Sequence, residues 1–418
     1  MTPLTKEDLI QELARGCKPP EDFRIGTEHE CFVLLPTHQR ASYEGHRQSI
    51  RGIFESLKSF GWQPQQEKGY VIGMYHPQTQ AAISLEPGGQ FELAGAPLKT
   101  LHDSYRELIV YQQQLASVSR ELGLHFKAVG FDPYNRRSEV PWMPKDRYQI
   151  MRAYMPTRGN LGVDMMTRTC TVQVNLDYSS EADMVRKMRV SMALQPMVTA
   201  LFANSSWIEG KKSPFACYRC FIWQDTDSDR CGILPFVFQD GMGFERYVEY
   251  MLDVPMYFIR REGVYRQAAG QSFRDFMQGT LPAWPGMVAT LSDWQDHLTT
   301  AFPEVRLKRY LEMRGADSGP LEHLIGLPAF WVGLLYDPCS LQAVVDLTSD
   351  WTYTEVQDLY QQVPRQGRKA FFREIPLQDW LCQLLHLSHQ GLERRGILND
   401  QGSSEALYLR PLQALCQS

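Results

Sequence analysis

The chain has 418 residues, 22% charged and 43% hydrophobic, the composition of a folded protein with a sizeable core. Its 43 basic and 48 acidic residues are spread along the chain and leave a net charge of −5, so no basic block marks a nucleic-acid partner. No apolar run approaches the ~20 residues of a membrane span, the opening from Met1 to Asp8 lacks the apolar core of a signal peptide, and nine dispersed cysteines make no secreted disulfide framework; a cytoplasmic location is expected.

In chain order, a short amphipathic helix is predicted from Thr5, its cap, to about Arg15. The run from Phe23 to Leu35, rich in β-branched and aromatic residues and ended by Pro36, predicts a strand. A helix is expected from about Tyr43 to Phe60, stopped by Gly61, and a hairpin follows from Tyr70–Gly73 and Ala81–Leu85 around Pro77. A long helix is predicted from about Leu98 to Leu122 between Pro97 and Gly123, then a strand from Phe126 to Gly130. The stretch from about Pro133 to Gly162 reads as an ordered irregular loop, and Ser180 opens a helix to about Asn204 with Pro196 inside it. From about Ala329 onward the pattern is mostly helical. No repeat or linker interrupts the chain, and residues 1–418 are read as one catalytic domain of the α+β class.

Several of these segments carry polar groups where a core strand has apolar ones. Within Gly26-Thr27-Glu28-His29-Glu30, alternation puts Glu28 and Glu30 on one face and His29 on the other, where it reads as structural. Two carboxylates side by side in an apolar strand repel and are costly to desolvate; a divalent cation removes both costs, and a solvated acidic face is the plain alternative. Thr169 to Asp177 alternates Thr, Thr, Gln173, Asn and Asp against Cys, Val, Val and Leu. Ile83 to Leu93 places Glu86 before a Pro-Gly-Gly turn and Gln90 and Glu92 after it; with no Lys-Ser/Thr and no helix following, this is not a phosphate loop. In Arg306 to Gly315, Tyr310, Glu312 and Arg314 share a face, either pairing with each other or serving metal and an anionic substrate. Five convergent acids call for several cations, and cations call for a polyphosphate, since Mg²⁺ binds through a few carboxylates plus phosphate oxygens. Arg147, Arg219, Arg230 and Arg314 are candidates to hold phosphate or a substrate carboxylate. Cys217-x-x-Cys220 is a weak metal or redox signal without a second pair. The residues alone point to an antiparallel sheet with a carboxylate-rich face, using Mg²⁺ and a nucleotide, and do not name the second substrate.

These segments resemble the glutamate–cysteine ligases of the plant and proteobacterial type. The resemblance runs from about residue 20 to 397. It is carried by Gly26–Glu30, Ile83–Leu93, Met143-Pro144-Lys145 with Arg147-Tyr148, and Thr169–Asp177. It continues through Trp223 with Asp225–Asp227, Leu234–Phe238, Asp253–Phe258, Tyr310–Asp317 and Leu327–Asp337. It implies a glutamine-synthetase-like fold, an antiparallel sheet curled into a funnel with helices outside. It implies ATP-dependent joining of the glutamate γ-carboxylate to the amine of cysteine through a γ-glutamyl phosphate, and a monomer or homodimer is expected. It implies two or three Mg²⁺ held by Glu28, Glu30, Glu86, Glu92 and Glu312. Arg219, Trp223, Gln173 and Tyr257 would line the amino-acid sites, and Arg147 and Arg314 would act as catalytic groups at the phosphates. The alternatives are a γ-glutamyl ligase with another amine acceptor, a metal-dependent phosphohydrolase, and a non-catalytic scaffold. Two departures stand out. Tyr218, Cys220 and Phe221 replace the Met, Ser and His of plant members beside Arg219, which bears on the acceptor. Tyr105, Ala268, Ala283 and Ile325 stand where plant members carry redox-linked cysteines, so no such switch is expected.

Overall fold

In the computed structural model, residues 4–416 are described, so the reading of Met1, Thr2 and Pro3 as a polar start lies outside the described residues. The strand predicted around the glutamate pair is β1 (Ile25–Leu34), and its burial alternates. Ile25, Thr27, His29 and Cys31 are buried on one side, while Gly26, Glu28 and Glu30 are half-buried on the other.

The remaining strands of the main sheet are β2 (Gln63–Glu67), β3 (Tyr70–Tyr75), β4 (Ala82–Leu85), β5 (Phe91–Ala94), β6 (His125–Lys127), β7 (Thr171–Leu176), β8 (Val305–Leu307) and β9 (Leu311–Asp317). They join β1 in a nine-stranded sheet of order β8-β9-β7-β1-β5-β4-β3-β2, with β6 paired to the end of β1. Every neighbour is antiparallel. The register brings the polar faces together: Glu28 lies opposite Gln173, Glu30 opposite Glu92, and Glu312 opposite Asn175.

The apolar face of the same strands is the core. Val172, Val174, Leu176, Leu311 and Met313 are buried there. They are covered by α6 (Glu181–Leu201) and α8 (Leu321–Leu335), while α3 (Leu101–Leu122) crosses β1 and β6. Burying each such side chain contributes roughly 1.5–3 kcal/mol. Helices α9 (Pro338–Thr348), α10 (Tyr353–Gln366) and α11 (Leu377–Arg395) pack outside α6 and α8. The helix α8 has an almost wholly buried, apolar body. Among the described residues no single helix is long and apolar enough to cross a membrane, although α8 and α9, bent by 86°, pass that test as a pair.

The structure corrects several element boundaries. Helix α2 spans only Ile50–Leu57, because Ser49 caps it by accepting from the Gly52 N–H; the preceding 43–49 is irregular. The long helix starts at Leu101, where the Thr100 side chain caps it. The stretch 133–162 is partly helical, with α4 (Asp146–Tyr154) inside it and α5 (Gly162–Arg168) following. The cysteines are not all free: Cys382 of α11 and Cys416 form a disulfide with a Cα–Cα distance of 5.6 Å.

Candidate active site

A cavity of about 220 Å³ lies over the polar face of the sheet. Its floor is Glu28 and Glu30 of β1, Glu92 of β5, Thr171 and Gln173 of β7 and Arg314 of β9, with Glu86 entering from the β4–β5 turn. Its walls come from α4 (Arg147, Tyr148, Met151), from α5 (Met165, Met166) and from α7 (Tyr218–Gln224), which supplies Arg219 and Trp223. Tyr257, Phe258, Thr300 and Phe302 close the rim.

The β4–β5 turn is clamped. Gly88 N–H donates to Gln90 Oε1 at 2.9 Å, Gln90 Nε2 donates to the Thr169 carbonyl at 2.9 Å, and the buried Arg40 donates to the Gly88 carbonyl at 2.6 Å. A Cβ on Gly88 would lie 2.4 Å from the Thr167 carbonyl oxygen, so only glycine lets the turn approach α5 this closely. Gly89 completes it at φ +78°.

The floor is short of positive partners. Glu30 accepts from the Thr171 N–H at 2.8 Å, and burial, then Glu92 and Glu86, push its carboxyl well above the ordinary range. Glu28 accepts from Asn175 Nδ2 at 2.9 Å; burial, then Glu312 and Glu92, raise it to about 7. Glu92 accepts from the Ser84 hydroxyl and is raised by burial and by Glu86. Lys145 lies beside these acids but donates to the Leu85 carbonyl at 2.8 Å, and burial, then Arg147, lower it to about 8. Sequence reasoning quoted Lys145 in a motif without giving it this place.

Glu312 differs from the other four acids expected to hold Mg²⁺, because it is already ion-paired. Arg306 binds its two oxygens from Nη2 at 2.6 and 2.9 Å, Lys308 adds an ion pair at 2.9 Å, and Arg314 adds another. Burial opposes its ionisation, yet these three cations hold it well below the usual carboxylate range. Glu312 is fully buried and does not line the cavity; its charge is already balanced. Arg306 and Lys308 carried no sequence signal beyond lying in a charged run, since only the β8–β9 hairpin register aims them at Glu312.

Arg314 also donates to Gln173 Oε1 at 2.7 Å, so both predicted residues are present and joined. Arg219 donates to the Arg314 carbonyl at 3.0 Å, and its Nε has no protein partner. Trp223, whose Nε1 is likewise unpartnered, lies near the Arg219 guanidinium, 5.7 Å from its ring centre. Arg147 sits over the Tyr148 ring at 5.2 Å and faces Glu86. Tyr257 is buried with its hydroxyl toward Met155 Sδ at 3.5 Å. Arg230, a candidate for phosphate, is corrected: it is fully buried, paired to Asp227 at 2.7 Å, bonded to the Pro255 carbonyl, and stacked 3.9 Å from the Tyr257 ring centre. It braces the rim. Cys217 and Cys220 are buried thiols, and Cys217 reaches Asp317 at 3.4 Å. Tyr218 and Phe221 pack with Phe215, at 5.1 and 4.7 Å, and line no part of the cavity. The departures beside Arg219 therefore lie behind the site.

Among the described residues no three acidic, His or Cys side chains converge into a ready-made ion cage. Four sheltered carboxylates that make no ion pair among the described residues nevertheless form a hard-oxygen donor set of the kind that takes Mg²⁺ through one or two carboxylates plus substrate phosphates.

The model of glutamate-cysteine ligase family 2 matches residues 24–418. The chain belongs to that family. The ligase is 53% identical over 417 residues to glutamate–cysteine ligase B of Oryza sativa subsp. japonica, a chloroplastic protein, covering 100% of this chain and 82% of the relative. It is 54% identical over 395 residues to the chloroplastic glutamate–cysteine ligase of Arabidopsis thaliana, covering 94% of this chain and 75% of the relative. Its fold matches the glutamate–cysteine ligase of Francisella tularensis, solved with AMP, at a TM-score of 0.56 and 11% identity, covering 96% of this chain and 83% of the other. The α+β architecture built on an antiparallel sheet, expected from the sequence, is thus the observed one. The cytoplasmic expectation is overturned, because these plant relatives of the ligase are chloroplastic. Cysteine usage speaks to redox conditions and does not separate one reducing compartment from another.

Proposed function

We propose that the acidic basin holds Mg²⁺ through Glu28, Glu30, Glu86 and Glu92, and that Arg147 and Arg314 meet the phosphates of ATP above it. As a family member the chain is an ATP-dependent ligase that joins the γ-carboxylate of glutamate to the amine of cysteine, the first step of glutathione biosynthesis. The observation that carries the residue assignment is electrostatic. The basin gathers four acids, three of which (Glu28, Glu30 and Glu92) burial and neighbouring carboxylates make reluctant to ionise, and leaves the guanidinium of Arg147 at its wall.

Glu28, Glu30, Glu86 and Glu92 would hold Mg²⁺, which would supply charge neutralisation during phosphoryl transfer. The protein's own part is positioning. Arg219, with its free Nε, and Trp223 hold the glutamate, and Gln173 and Tyr257 line the amino-acid sites. The γ-carboxylate oxygen takes the γ-phosphoryl group as ADP leaves. The cysteine amine then attacks the acyl carbon, phosphate departs with the C–O bond, and the ammonium gives up its proton. Met151, Met165 and Met166 offer a polarizable wall suited to a thiol. At about 220 Å³ the cavity is below the roughly 300–1,000 Å³ of common ligand sites. Arg314 leaving Glu312 for the phosphates would enlarge it, while Arg306 and Lys308 would still balance that carboxylate.

ADP release with Mg-ATP and glutamate, across a panel of amines, tests the reading. ADP formed with cysteine is expected. Preference for another amine would replace the acceptor, and phosphate release without any amine would replace the ligase.

A further inference from the structure

A second cavity, of about 370 Å³, lies on the opposite face of β1 from the acids, between that strand, β6 and α3. It falls on the seam of two hydrophobic clusters: Leu108 and Leu324 belong to one, Tyr111 and Leu115 to the other. Two buried polar side chains line it without being satisfied. His29 is 5% exposed and Tyr111 4%, and neither His29 Nδ1 nor the Tyr111 hydroxyl has a hydrogen-bond partner. A buried polar atom left unpaired costs about 1–3 kcal/mol, so a hydrogen-bonding group entering the cavity beside such a pair gains by satisfying it. The lining offers no ionic partner. Glu30 contributes there only as part of the strand, since its carboxylate bonds Thr171 in the basin. Burial raises the Tyr111 hydroxyl, which therefore keeps its proton.

We propose that this cleft binds an uncharged small molecule with an apolar ring or chain and a hydroxyl, and that its occupancy is felt by the acids on the other face of β1. A hydroxyl suits the wall because it both donates and accepts, and so serves His29 Nδ1 in either tautomer as well as the Tyr111 hydroxyl. The apolar body replaces water against Leu108, Leu115, Phe126 and Leu324. Coupling follows from alternation: His29 lies between Glu28 and Glu30 on one strand, so a shift of its ring moves both carboxylates. Binding is independent of which amine the basin uses; the coupling rests on the metal reading above.

Phenol is a suitable probe, with benzoate as its charged counterpart. Thermal unfolding of the full chain is expected to show a saturable rise in Tm with millimolar phenol and none with benzoate. Ala116 is exposed at the cavity wall, so Ala116→Trp is expected to fold normally and abolish the rise. Tyr111→Phe is expected to weaken phenol about tenfold. No saturable rise in the natural protein, or an equal rise in Ala116→Trp, would overturn the site. For the coupling, phenol is expected to change the half-saturating Mg²⁺ at least twofold in the natural protein and not in Ala116→Trp. An unchanged Mg²⁺ requirement would overturn the coupling, whereas absence of any Mg²⁺ requirement without phenol would count against the metal reading itself.

Discussion

Glu30 has Glu92 directly across the strand pair and Glu86 close by, with one backbone N–H and the Arg219 guanidinium as opposing influences. Glu30→Gln is expected to lower Mg²⁺-dependent turnover at least about a hundredfold, because charge stabilisation carries phosphoryl transfer. Far-UV CD should stay unchanged; near-normal turnover would take Glu30 out of the metal site. Glu28 yields a pH prediction. Its folded value of about 7 lies above the ordinary 4.5, so its contribution to stability is fully present below about pH 4.5 and is lost as pH rises through 7. Glu28→Gln lacks that loss. In metal-free buffer at pH 8 the variant should be the more stable by on the order of 2 kcal/mol, discounted for the cavity's water, and the gap should close toward pH 4.5. Urea titrations at the two pH values check this, and a variant less stable at pH 8 would refute it. These acids were legible in the sequence because polar residues alternated with apolar ones. Glu312 was legible as an acid on that face but not in its state, since Arg306 and Lys308 reach it only through the hairpin's register.

At the scale of elements, the β4–β5 turn places Glu86 through three hydrogen bonds and a close backbone approach. Gly88→Ala forces the turn away from Thr167, and a displacement near 1 Å can cost about a hundredfold in rate. The expected result is a hundredfold fall in kcat/KM with a Tm change of only a few degrees; activity within threefold of normal would show that the turn gives way elsewhere. The Pro-Gly-Gly signal announced this turn. It could not announce Arg40, which clamps the turn from a distant loop, nor α4, which was read as irregular because Pro and Arg crowd its approach. Strands with a clear two-residue period were placed within a few residues, whereas helix starts shifted wherever a Ser or Thr cap overrode the apolar pattern, as at Ser49 and Thr100.

Over the whole molecule, the C-terminal segment is tied back by the Cys382–Cys416 disulfide, 34 residues apart. Closing such a loop constrains the unfolded chain by about 4 kcal/mol on the entropic account. Cys382→Ser is therefore expected to lower Tm by a few degrees. Neither half-cystine lines the basin, so kcat should match that of the natural protein, with or without reductant. A parallel fall in kcat would tie this end of the chain to catalysis. Spacing could not reveal the pair, because it depends on how the chain returns to α11 after Arg395.

One consequence concerns how this gene can change. Over residues 26–30, β1 faces the acidic basin on its even-numbered side and the protein interior with its second cleft on its odd-numbered side. Substitutions can retune either side alone. An in-frame insertion or deletion of one codon between residues 26 and 30 cannot, since it would turn the glutamates into the hydrophobic core and His29 into the basin together. Length variation near this strand belongs instead in the irregular stretch 43–49, where no ladder fixes the count.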